Sequence, residues 1–86
     1  MNRTSTPERY WESEAKRVLK AQLARAGVSY KVLVARLERM GIADNERAVA
    51  SRISRGKFSF AFFLQCMAAL NVTEVHLGTP QSGDRR

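Results

Sequence analysis

A chain of 86 residues is enough for one small domain, and at this size only roughly 60% of the unfolded surface is buried, which allows a single modest core. A hydrophobic content of 44% with only five Gly and two Pro excludes wholesale disorder. Fifteen Lys and Arg against eight Asp and Glu leave a net charge of +7, which favours a polyanionic partner, nucleic acid ahead of an anionic membrane.

A single cysteine, Cys66, excludes an internal disulfide, and with His76 as the only histidine the chain lacks the ligands of a zinc site. That usage suits a reducing cytoplasm. Met1 to Ser13 is polar and charged, without the apolar run of a signal peptide. Phe58 to Leu70 is apolar but too short to span a bilayer.

In chain order, residues 1–5 read as a loose tail. Thr6-Pro7 then opens helix one, Thr6 as N-cap and Pro7 at the first helical position, where its missing N–H costs nothing. Trp11, Ala15, Val18, Leu19, Leu23 and Ala26 recur at helical spacing, which predicts one buried stripe anchored by Trp11, with Gln22 near its edge. Gly27 stops the helix.

Ser29 caps helix two, whose apolar face is Tyr30, Leu33, Val34, Leu37 and Met40, ended by Gly41. Ile42 is expected to plug the core from the following turn. Asp44 or Asn45 caps helix three, which runs to Arg55 with Val49, Ala50 and Ile53 inward and stops at Gly56. Ser59 caps helix four, with Phe58 and Phe63 at the spacing of a hydrophobic staple. Its buried face is expected to be Phe60, Phe63, Leu64, Met67 and Leu70, with Asn71 as a left-handed cap. Val72 to Leu77 fits either a short strand or a last helical turn. The domain therefore spans 6–77, followed by a second loose tail over 78–86.

Helices two and three, joined by a Gly-containing turn, have the form of a helix-turn-helix. On a helical wheel Arg47, Ser51, Ser54 and Arg55 fall opposite Val49, Ala50 and Ile53, with Arg52 on the flank. Arg47 to Lys57 carries four cations and no acid. Arginine reads guanine edges bidentately in the major groove, and serine permits close approach, so Arg47, Ser51, Ser54 and Arg55 are the candidate base readers. Lys31, Arg52 and Lys57 are the candidate phosphate contacts. Phe58 and Phe62, off the expected buried face, are the candidate self-association residues of a homodimer, which would supply a second half-site.

Gly27-Val28-Ser29-Tyr30 with Leu33, Val34 and Leu37, and then Ser51-Arg52-Ile53-Ser54-Arg55-Gly56, resemble Cro- and repressor-like helix-turn-helix domains. That resemblance implies an all-α domain of four to five helices that binds double-stranded DNA. Trp11-Glu12-Ser13-Glu14-Ala15-Lys16 with Ile53-Ser54-Arg55-Gly56-Lys57-Phe58 and Phe62-Phe63-Leu64-Gln65-Cys66 is similar, over roughly Tyr10 to Val72, to a family of small bacterial proteins without assigned function. Glu38 to Asn45 exceeds the usual repressor-like connection, which predicts an extended link between helices two and three, as a longer helix or an enlarged loop.

No carboxylate dyad and no Gly-rich phosphate loop stands out, so the sequence predicts a non-enzymatic binding protein without cofactor or metal. The leading expectation is a cytoplasmic DNA-binding regulator or accessory factor. The alternative is a protein-interaction adaptor that uses the Phe58–Phe62 region of the same scaffold.

Overall fold

The computed structural model describes residues 7–77. The expected tails at 1–5 and 78–86 and the Thr6 cap lie outside the described residues. Within them the chain forms four helices and no strand: α1 (Pro7–Ala26), α2 (Tyr30–Arg39), α3 (Glu46–Arg55) and α4 (Phe60–Ala69).

The helix starts follow from local side-chain chemistry. The first N–H groups of a helix have no carbonyl partner, so an oxygen just before the helix is favoured. The Val32 N–H donates to Ser29 Oγ at 3.2 Å, the Ala48 N–H to Asn45 Oδ1 at 2.8 Å, and the Phe62 N–H to Ser59 Oγ at 2.9 Å. Asn45 rather than Asp44 is therefore the α3 cap.

Three helices close in one way. After α1, the Gly27 N–H donates to the Ala24 carbonyl and the Val28 N–H to that of Leu23. Gly41 and Ile42 repeat the pattern on Glu38 and Leu37, and Asn71 and Val72 repeat it on Ala68 and Met67. Each exit folds one apolar residue back over the helix it leaves, and Val28, Ile42 and Val72 all pack on the core. Asn71 supplies the left-handed residue of the last exit, at φ 59°.

α1 packs on α3, α3 on α2, and α2 on α4. Leu19, Leu33, Leu37, Val49, Ile53 and Cys66 are fully buried where these contacts meet. The guanidinium of Arg36 in α2 donates to the Ala69 carbonyl at 3.2 Å, satisfying a terminal oxygen of α4 where a cation also suits the helix dipole.

Several expectations about the core are corrected. Trp11 is 63% exposed and meets the ring of Tyr10 edge-on, because α3 meets this end of α1 along the line of Glu12 and Trp11 lies off to its side. Ala26 and Met40 are also exposed, whereas Gln22 is buried. On α4 the buried residues are Phe62, Cys66, Met67 and Ala69, followed by Leu70, while Phe60 and Leu64 face solvent. Phe58 packs at a tilt against Phe62, and the Phe63 ring lies within 19° of parallel to that of Phe60. Residues 72–77 form neither strand nor helix, though Val72 and Val75 cover the core. No helix of the described residues is long and apolar enough to cross a membrane.

Candidate nucleic-acid interface

The two-sided character of α3 follows from its sequence. Val49 and Ile53 are completely buried, and Ala50 is half-buried beside them. Arg47, Ser54 and Arg55 are exposed and Ser51 is half-buried, all on the arc opposite Val49 and Ile53 at 100° per residue. Arg47 and Arg55 stand about 12 Å apart along the axis, two turns of a helix. Among the described residues neither guanidinium is held by a hydrogen bond or an ion pair. Glu46, in the first turn, is the acidic neighbour of this face.

Arg52 is placed differently. Its guanidinium donates to Asp44 Oδ2 at 3.0 Å and lies over the Phe62 ring, 4.8 Å from the centroid. The carboxylate takes one guanidinium N–H and the ring covers one flat side, which leaves the side chain about a third exposed. The expected phosphate contact thus also ties the α2–α3 connection to α4. The hydrogen bond from Arg52, reinforced by the Asn45 N–H, holds the Asp44 carboxyl below its ordinary pKa.

That connection, residues 40–45, resolves the choice left by the sequence. α2 gains no extra turn, and the added length is loop. The Asp44–Arg52 pair and Ile42, packed on the core, hold it down.

Lys31 is exposed at the second position of α2, beside the N-terminal amides capped by Ser29. Lys57 is exposed just beyond α3, with its ammonium 3.9 Å from a Glu12 carboxylate oxygen, a loose surface pair. Phe62, expected on a self-association surface, is only 6% exposed, and Phe58 is half-buried against it. Both belong to the core. The large exposed apolar residues of this helix are Phe60 and Leu64, which sequence reasoning missed because α4 is apolar on almost every side.

Gly56 joins this surface to α1. It ends α3 in the left-handed region at φ +67°, and its backbone lies directly against that of Glu12. The two stretches Trp11–Lys16 and Ile53–Phe58 therefore touch, through Glu12 with Gly56 and Glu12 with Lys57.

A family model, that of a domain of unknown function designated DUF6471, matches residues 11–75. The chain belongs to this family. The DUF6471 match covers all four helices apart from the first turn of α1, and it includes both sides of the Glu12–Gly56 crossing. No curated protein and no solved structure matches the chain.

Proposed function

We propose that this DUF6471 domain is a helix-turn-helix that binds double-stranded DNA, with α3 in the major groove, as a small regulator or accessory factor. The observation that carries the reading is the division of α3. Val49 and Ile53 fix the helix to the core, while Arg47, Ser51, Ser54 and Arg55 share the opposite arc with both guanidinium groups uncommitted. Two arginines about two turns apart can each address a guanine edge, and the small serines between them allow the helix close to the bases.

Lys57 beyond the end of α3 and Lys31 at the start of α2 are assigned to phosphates. Arg52 is assigned to the fold rather than to the contact, since Asp44 and Phe62 already engage its guanidinium. The net charge of +7 supplies the long-range attraction that brings the domain to a polyanion. No catalytic step and no cofactor is assigned.

The test is selection of bound fragments from a random duplex library, paired with titration of a random duplex at several salt concentrations. Enrichment of a defined sequence, with affinity falling steeply as salt rises, is the expected result. Affinity for duplex that is absent at low salt, or indifferent to salt, overturns the proposal.

A further inference from the structure

The outward side of α4 and the end of α2 beside it join an apolar surface to a cationic one. One side of α4 is buried through Phe62 and Cys66; the other presents Phe60, 71% exposed, and Leu64, 52% exposed, with Ala68 exposed beyond them. Spaced by four, these three form a ridge about 12 Å long, two turns of a helix. Ala68 also lines an open cleft of about 340 Å³, together with Arg36, Arg39, Met40, Ala69 and Asn71. The ridge therefore ends in a cleft that carries two guanidinium groups.

The charges lining this cleft are of one sign. Arg36 donates to the Ala69 carbonyl at 3.2 Å, which fixes its guanidinium at the cleft and leaves further N–H groups unused. Arg39 is exposed, and among the described residues its guanidinium makes no hydrogen bond or ion pair. Glu38 falls on the far side of α2 from Arg36 and Met40 at 100° per residue, and Phe58 to Thr73 carries no charge that could neutralise the pair.

We infer that this surface takes an acidic amphipathic helix of another protein, with its apolar side chains along Phe60, Leu64 and Ala68 and a carboxylate between Arg36 and Arg39. Charge complementarity selects that occupant. Guanidinium groups pair with carboxylates through short, directional hydrogen bonds, and a helix with apolar residues every three or four positions matches a ridge two turns long. The net charge of +7 attracts an acidic partner and repels a second copy, which would bring its own pair of arginines. A phosphate backbone is a poorer match, since the ridge offers it two large apolar side chains and no cation. With so few apolar side chains the contact is reversible, and the carboxylate sets its selectivity. On α4, Phe60 and Leu64 each lie about 200° from Phe62, the ring that Arg52 of α3 covers, so the ridge faces away from α3. The inference stands independently of what α3 binds.

The experiment is selection of a displayed library of random helical peptides on the immobilised full chain, followed by fluorescence anisotropy of the enriched peptides. Enrichment of Asp and Glu beside apolar residues that recur every three or four positions is expected. Arg39→Glu reverses the charge at the cleft and Leu64→Ser interrupts the ridge. Each should weaken those peptides by at least roughly tenfold with an unchanged helical circular dichroism spectrum. The Arg47/Arg55 double alanine variant lowers the net charge as much as Arg39→Glu does, and should bind them within about twofold of the parent. No enrichment, or enrichment of basic or uncharged peptides, overturns the inference. Equal losses in Arg39→Glu and the double variant would mean attraction by net charge alone, and affinity that survives Leu64→Ser would put the contact off the ridge; either result overturns it. Sedimentation velocity of the unliganded chain covers the rival occupant: self-association that Leu64→Ser abolishes gives the face to a second copy and overturns the inference as well.

Discussion

The backbone of Glu12 in α1 fills the space into which a side chain at Gly56 would project. A β-carbon built on Gly56 would lie 2.7 Å from the Glu12 carbonyl carbon and nearer still to its oxygen. Backbone cannot swing aside as the end of a flexible side chain can, so any substitution at Gly56 must separate α1 from the end of α3.

Gly56→Ala therefore combines a left-handed φ with a backbone collision. A loss of about 3 kcal/mol or more is expected, measurable as a lowered midpoint of urea unfolding. Gly41→Ala is the matched control, since it shares the left-handed conformation but has nothing within 4 Å of the added carbon. Its loss should be about 1–2 kcal/mol. Equal losses at both positions would remove the claim that the crossing limits position 56.

Phe62 and Phe60 lie two residues apart on α4 and should respond very unequally to truncation. Phe62→Ala empties a core site and removes the ring beneath Arg52, so a loss of about 3–5 kcal/mol is expected. Phe60→Ala, at an exposed position, should change stability by no more than about 0.5 kcal/mol. Thermal or urea unfolding at low protein concentration distinguishes the two, and a reversed order would mean that α4 is rotated about its axis.

The Asp44 carboxyl is held below its ordinary pKa chiefly by the hydrogen bond from Arg52. A carboxyl with a depressed folded pKa adds stability above its unfolded value, about 3.9, and loses it as pH falls through the folded one. Asp44→Asn should therefore be less stable than the parent at neutral pH, with the gap narrowing below about pH 4. Parallel unfolding curves for the two chains across that range would show that the pair contributes nothing.

For duplex binding, Arg47→Ala or Arg55→Ala should each cost about 1–3 kcal/mol and relax preference at one base position. Lys57→Ala should weaken all sequences alike and reduce the slope of log affinity against log salt by about one. Unchanged binding by the Arg47/Arg55 double alanine variant, measured by fluorescence anisotropy, would remove α3 as the contact.

The ends of the helices were legible in the sequence because they depend on a few local groups. Ser29, Asn45 and Ser59 oxygens take the orphan N–H groups, and Gly27, Gly41 and Gly56 follow the last turns. The inward face of α3 was legible too, since two apolar residues stand among polar ones. α4 was not, because a helix apolar all round gives no periodicity from which to choose a face. Trp11 was misplaced for a related reason: its spacing fits the α1 stripe, but spacing does not reveal that α3 meets this end of α1 along the line of Glu12. The commitment of Arg52 to Asp44 depends on how the loop at 40–45 folds back, which no local pattern encodes.

The order in which the helices touch, α1 on α3 on α2 on α4, has a consequence for how the chain can come apart. Neither the first two helices nor the last two form an extensive contact with each other, so cutting the chain between α2 and α3 leaves each half with little internal packing beyond Arg52 over Phe62. Partial folding therefore has no stable resting place, and the domain should gain or lose its structure in one step, with the Glu12–Gly56 crossing and the Arg36–Ala69 tie made or broken together.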